Sequence, residues 1–324
     1  MKNSKETTAI AHPNFALVKY WGKKDVTRNQ PAMSSISITV DSMQSETTLT
    51  RNKLSNQHRL FINGKEESDL SKILPTIKYL SNCSKSDDYL MIKSKNNFPT
   101  SAGLASSASG IASFVTAYDA HYGMGLTMDD KVNACILGSG SSPRSLIGGF
   151  VIMDHRDNFK CSEILNKSDW PLDVIICIAS TEPKKISSTE GMEISRKTSP
   201  IYQNWLDINL EHINKASESI KEKDISKLGK ISEENCKLMH KVMSTSDPSI
   251  VYKTDITNSC LAVVEELKAK GHELFYTIDA GPQVKIICNP RSSGIIKDEI
   301  LSKTRVKEII HTKIGGPPSL INEN

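Results

Sequence analysis

Pro99-Thr100-Ser101-Ala102-Gly103-Leu104-Ala105-Ser106-Ser107-Ala108-Ser109-Gly110 is the stretch around which the rest of the chain is organised. An extended run, Tyr89-Leu90-Met91-Ile92, precedes it. Behind it Ile111, Phe114, Val115 and Tyr118 recur at spacings of three and four, which is one face of a helix. The order is strand, loop of tiny side chains, helix. Such a loop lets a ligand approach the backbone, and a helix start offers unpaired N–H groups and partial positive charge. Together these are the requirements of a phosphate site. No Lys-Ser or Lys-Thr follows the glycines, so this is not a Walker loop and the cation facing the phosphates must come from elsewhere. A Ser/Ala-rich helix start that merely packs closely would have the same composition.

Upstream of the loop, residues 15–20 read as a buried strand ended by Gly22, and residues 35–40 as a half-buried strand alternating polar and apolar. Strands at 46–50 and 59–62 follow, with Asn63-Gly64 as a turn. A helix over 70–80 is weakened by Pro75. Downstream, a helix starts at Thr127 and runs to Leu137, with Asp130 completing an imperfect capping box. It opens into a second small-residue loop, Gly138-Ser139-Gly140-Ser141-Ser142-Pro143-Arg144-Ser145. Strands at 150–153 and 173–179 follow. Helices are predicted over 200–223, 225–243 and 257–270, the last closed by Gly271. Residues 274–279 and 284–288 form strands around the turn Ala280-Gly281-Pro282, and the tail with Gly315-Gly316-Pro317-Pro318 reads as irregular. A β-rich first half and a helix-rich second half predict a two-domain α+β protein with a cleft between domains, divided as 1–180 and 181–324.

At 324 residues each domain can bury its own core. The net charge of +4 is small, and lysines and arginines are scattered among acids, which argues against a nucleic-acid-binding face. Seven dispersed cysteines without a CxxC pair read as reduced thiols, neither a disulfide framework nor a zinc site. The first eight residues are polar, without the apolar core of a signal peptide. No apolar run approaches the roughly 20 residues of a membrane span. The expectation is a cytoplasmic protein without nucleic-acid or membrane partners.

Four motifs carry a family resemblance. Residues 99–110 resemble the phosphate loop of the GHMP kinase superfamily. Asn14-Phe15-Ala16-Leu17-Val18-Lys19-Tyr20-Trp21-Gly22-Lys23 resembles the opening signature of one of its families, the diphosphomevalonate decarboxylases. Gly138-Ser139-Gly140-Ser141 with Arg144-Ser145 and Gly148-Gly149-Phe150 is similar to that family's second signature. Ile278-Asp279-Ala280-Gly281-Pro282 with Val284-Lys285 is similar to its acidic motif. The four lie in order across most of the chain.

The resemblance implies a GHMP kinase-type fold: a β-rich N-terminal domain of the ribosomal protein S5 domain 2-like type, and a helix-rich ferredoxin-like C-terminal domain carrying the catalytic aspartate. It implies ATP-dependent decarboxylation of diphosphomevalonate, with ATP and magnesium as cofactors and a homodimeric assembly. Asp279, Lys19 and Arg144 match catalytic positions. Lys19 in an apolar strand is costly to bury unpaired, so Asp279 or substrate is its expected partner. Ala16, Tyr20, Trp21, Lys23, Ser139, Gly140, Ser141, Arg144, Ser188, Thr189, Met192 and Ala280 match the substrate side. Ser101, Ala102, Gly103, Leu104, Ala105, Ser106, Ser107 and Ser109, with Lys184 and Lys185, match the nucleotide side, and Ser106 or Ser107 is the magnesium ligand expected there. Each assignment has a plainer counterpart: Asp279 as a turn residue, Lys184-Lys185 as a solvated pair, Trp21 as core. A phosphomevalonate decarboxylase, a mevalonate 3-kinase and a non-catalytic regulator of the same fold remain as alternatives.

Overall fold

The computed structural model describes residues 6–99 and 103–321. Its first layer is a six-stranded sheet in the order Ser319–Ile321, Thr7–Ala11, Ser45–Arg51, Leu90–Asn96, Arg59–Ile62, Lys65–Glu67. All neighbours are antiparallel except Arg59–Ile62 and Leu90–Asn96, which run parallel. The helix Ser106–Tyr122 lies on this sheet with Met128–Gly138 beside it, and Leu49, Leu90 and Ile92 meet Ile111, Phe114, Val115 and Tyr118 in one apolar cluster. The three-and-four spacing seen in the sequence is the inner face of that helix.

A second sheet orders Lys160–Leu165, Phe150–Asp154, Ser35–Thr39 and Asn14–Val18. A third orders Leu274–Thr277, Val284–Cys288, Asp173–Ile178 and Glu308–Lys313, antiparallel throughout. Phe15, Ile36 and Ile38 from the second sheet share a buried cluster with Val174, Ile176, Phe275 and Ile287 from the third, joined by Ile213 and Leu228 from two helices. The two halves of the chain are therefore packed through a continuous apolar contact, and the site lies along its edge. The strand Asp173–Ile178 pairs only with strands from the second half of the chain, whereas Ser319–Ile321 returns to the first sheet.

Several elements differ from expectation. The strand Ser35–Thr39 is buried at every position, because its polar residues Ser35 and Ser37 face Arg144 instead of solvent. The helix expected over 70–80 spans Leu74–Ser84 and carries Pro75 in its first turn, where a missing N–H costs nothing. The helix expected over 200–223 is broken at Ile208 into Tyr202–Asp207 and Asn209–Lys221. The break lets Trp205 dock on the Trp21 cluster while Ile213, Ala216 and Ile220 pack into the larger core. The tail is regular on either side of its Gly-Pro stretch, with the helix Ser293–Lys303 and strands Glu308–Lys313 and Ser319–Ile321. Within that stretch Gly315 donates to the Thr39 carbonyl at 2.8 Å and accepts from the Gly149 amide at 2.9 Å, so it is pinned to the second sheet.

Candidate active site

The phosphate-loop helix starts at Ser106 behind Ala105, which is left-handed (φ 57°, ψ 30°) and gives no side-chain cap. The first N–H groups are left for an outside acceptor. Gly103 (φ +79°) brings the loop against the acidic turn: a Cβ there would stand 2.9 Å from the Gly281 Cα. Only glycine allows both the backbone angle and the approach. Gly103→Ala is expected to separate the two segments, raising KM for ATP about tenfold or more with far-UV circular dichroism unchanged.

Asp279 follows the strand Leu274–Thr277 and is held between two ammonium groups. Lys19 Nζ lies 2.5 Å from Oδ1 and Lys285 Nζ 3.1 Å from Oδ2. The lysine side chains are 1% and 0% exposed, the carboxylate 24%, so the acid shows one face to the cleft. Burial alone would raise its pKa, but the two cations outweigh burial and hold the carboxyl well below the usual carboxylate range. Burial pushes Lys285 downward while Asp279 opposes it. Lys285 also donates to the Gly103 carbonyl at 3.0 Å, which ties the acid to the phosphate loop through one side chain. The Lys19 backbone N–H donates to the Asn235 side-chain oxygen at 2.7 Å, fixing the end of its strand on the helix Ile225–Ser244.

Arg144 lies in the short helical turn Ser142–Leu146 and is 2% exposed. Its guanidinium donates to Asn14 Oδ1 at 3.2 Å, to Ser37 Oγ at 3.0 Å and to Ser35 Oγ, all neutral acceptors. Among the described residues it forms no ion pair, although Asp279 is near enough for its charge to be felt there. A buried cation served by neutral groups alone is poised for an anion that arrives with a ligand. Tyr20 stands beside it, and a Cβ on Gly140 would lie 2.8 Å from the Tyr20 hydroxyl, so only glycine leaves room there. Burial raises the Tyr20 pKa, keeping the phenol a proton donor. Ser139 Oγ is 3.3 Å from Ser141 Oγ and 3.4 Å from Ser107 Oγ, which joins the second loop to the first.

The remaining cations meet at the start of the helix Ser188–Thr198, Lys184 from the segment before it and Lys23 from the strand Lys23–Asp25. Ser187 caps that helix by accepting from the Glu190 N–H, a signal present in the sequence but not read as a helix start. Lys184 Nζ donates to Ser188 Oγ at 2.8 Å and to the Ala280 carbonyl at 3.0 Å. Lys23 Nζ reaches Thr189 Oγ1 at 3.5 Å. Both lysines are pulled below their ordinary pKa, first by burial and then by neighbouring cations, among them Lys72, which the sequence reading did not single out.

The structure thus brings together Lys19, Tyr20, Lys23, Gly103, Ser107, Ser139, Gly140, Ser141, Arg144, Lys184, Ser188, Thr189, Asp279 and Ala280. Ser106 opens the loop helix and is half-buried. Other expected residues stand elsewhere. Ser109 is fully buried, its hydroxyl 2.6 Å from Ser45 Oγ, so it fastens helix to sheet and does not face the loop. Lys185 is exposed, because the turn sends only Lys184 inward. Trp21 is 2% exposed and gives its indole N–H to Ser195 Oγ at 3.0 Å; with Met192 it belongs to a core cluster behind the site. Leu104 and Ala16 are buried, leaving backbone atoms as their only route to a ligand, and the Ala16 carbonyl is engaged by Thr277 Oγ1. Ser101 and Ala102 lie outside the described residues. Lys285, quoted in the acidic motif without a role, is the principal residue the sequence reading missed.

A glycine-rich loop at a helix start, facing an ionised aspartate across the seam of two α/β layers, defines a GHMP kinase-type nucleotide-dependent enzyme. Residues 11–163 match the diphosphomevalonate decarboxylase-like N-terminal domain, and residues 174–302 the mevalonate 5-diphosphate decarboxylase C-terminal domain. The diphosphomevalonate decarboxylase of Candida albicans is 33% identical, the match covering 98% of each chain. Among solved structures, mevalonate diphosphate decarboxylase from Staphylococcus aureus superposes with a TM-score of 0.91 at 34% identity, covering 98% of both chains. MDDEF in complex with MVAPP, AMPPCP and magnesium superposes at 0.90 with 30% identity, covering 98% of this chain and 99% of that one. The chain belongs to the diphosphomevalonate decarboxylase family.

Proposed function

We propose that this chain converts ATP and diphosphomevalonate to isopentenyl diphosphate, ADP, phosphate and carbon dioxide. The observation that carries this reading is the Lys19–Asp279–Lys285 cluster, tied to the phosphate loop through Gly103 and facing an arginine that forms no ion pair among the described residues. The C3 hydroxyl of the substrate takes the γ-phosphoryl group of ATP. The C3–O bond then breaks with its electron pair leaving on phosphate, and the bond to the carboxylate supplies the electrons of the new double bond as carbon dioxide departs. A carboxylate with so low a proton affinity is a weak base. Asp279 therefore orients the hydroxyl and stabilises the positive charge developing at C3.

Arg144, Tyr20, Ser139 and Ser141 hold the substrate's carboxylate and diphosphate, with Lys23 and Thr189 closing the far side. The loop from Gly103 to Ser107 and Lys184 receive the nucleotide phosphates. The first domain supplies the loop and the second the acid, so reaction requires both. Magnesium, when bound, neutralises phosphate charge. No group of three or more acidic, His or Cys side chains suited to a metal exists among the described residues, which fits an ion held by nucleotide phosphates, water and the Ser106 or Ser107 hydroxyl. Seven free cysteines, six of them buried, accord with a cytosolic protein. A homodimer is the assembly expected, checked by sedimentation.

Product analysis tests the reaction. The purified chain with ATP and magnesium should release carbon dioxide, phosphate and isopentenyl diphosphate in equal amounts from diphosphomevalonate. Turnover of the monophosphate in its place overturns the substrate assignment, and phosphorylation without carbon dioxide overturns the reaction. Arg144→Gln separates binding from folding. Losing its hydrogen bonds to Asn14, Ser35 and Ser37 should lower Tm modestly without unfolding the chain, while KM for diphosphomevalonate rises about tenfold or more.

A further inference from the structure

Apart from the catalytic cleft, a cavity of about 220 Å³ opens on the helix Ile225–Ser244. Lys237, His240, Lys241 and Ser244 line it at helical spacing, and Ile250, Val251 and Lys253 from the following segment close it. No acid lines it. None of its three lysines forms an ion pair among the described residues; Lys237 stands 6.0 Å over the Tyr276 ring instead. Three like charges gathered around a concave surface repel one another, and a bound anion relieves that repulsion.

His240 forms the floor, 9% exposed. Its Nε2 donates to the Ile278 carbonyl at 3.4 Å, which fixes the ring against the segment that carries the acid. Ile278 immediately precedes Asp279, and His240 thus stands between the cavity and the strand end that carries the acid. We propose that this cavity is a second anion site, built for a small polyvalent phosphate held by Lys237, Lys241 and Lys253 over His240. Its volume lies below the ~300–1,000 Å³ of pockets for drug-sized ligands, which suits a small anion.

The test titrates inorganic pyrophosphate into the full chain at constant ionic strength and follows the His240 ring signal by NMR, assigned from its loss in His240→Asn. The signal should shift saturably in the wild type and equally in Arg144→Gln, whose defect lies in the catalytic cleft. In Lys237→Gln/Lys241→Gln the apparent Kd should rise about tenfold or more. Both lysines are exposed, so the double variant keeps its fold. A signal that does not move, that moves alike in the double variant, or that stops moving in Arg144→Gln overturns the proposal. The last outcome would mean the shift is relayed from the catalytic cleft.

Discussion

Asp279→Asn is expected to lower kcat by at least about 10³-fold while diphosphomevalonate still binds, its Kd within about threefold of wild type. The substitution keeps shape and removes charge, and charge is what the arrangement supplies. The wild-type carboxylate presents a 24% exposed face to the cleft and is ionised by Lys19 and Lys285 on its buried side. An amide in its place can still orient a hydroxyl but cannot balance positive charge at C3. It also leaves two buried ammonium groups facing each other, a loss of about 3 kcal/mol, at the low end for a broken buried pair because the acid is partly exposed. Turnover is therefore measured on protein shown to be folded by circular dichroism, with substrate affinity from calorimetry. Retention of more than about a tenth of wild-type kcat would remove Asp279 from the chemistry. The same pair predicts an acid limb in stability. The folded pKa is depressed below the ordinary aspartate value of about 3.9, so the stabilisation is fully present above that value and fades as pH falls below it. Tm measured from about pH 5 downward should fall more steeply for wild type than for Asp279→Asn.

The parts of this site that the sequence disclosed are those set by local pattern. The phosphate loop announces itself through tiny residues between a strand and an amphipathic helix, and its helix ends at Gly123 as glycine chemistry dictates. The Lys19–Asp279 pair was legible because a lysine inside an apolar strand needs an acid. Lys285 carries the same signal, an ammonium within Val284–Cys288, but nothing in the sequence says that one aspartate takes two lysine partners. The alternation at 35–40 predicts a half-buried strand, because alternation reports two faces without saying what covers them. Only the tertiary fold shows that the polar face meets Arg144. Ser109 failed in the opposite way. Its motif position suggested a ligand, while one further turn of helix carries it under the sheet to Ser45. Lys72 is spatially close to Lys23 and Lys184 but distant in sequence from both, and no pattern in one chain encodes that.

Lys285→Met should lower kcat about 10²-fold and raise KM for ATP about tenfold, a joint effect that follows from its two contacts. The ammonium bonds Asp279 on one side and the Gly103 carbonyl on the other, at 3.1 and 3.0 Å. It also stands 5.0 Å over the Phe15 ring, so methionine of similar length keeps the packing and removes the charge. Without it the Gly103 carbonyl loses its donor, the loop is freed from the acidic turn, and the nucleotide phosphates meet a less ordered cradle. Asp279 keeps Lys19 alone. One of the two cations that depress its pKa is gone, so its carboxyl takes up a proton at higher pH than in the wild type. The acid limb of the kcat/KM profile must therefore move upward in pH, a shift that a general loosening of the fold does not produce. Lys285→Arg preserves the charge and should hold the acid limb near its wild-type position even if the larger head group costs activity. An unchanged acid limb in Lys285→Met, together with an unchanged KM for ATP, would reduce this residue to filling space and leave Lys19 as the one cation acting on the Asp279 carboxylate.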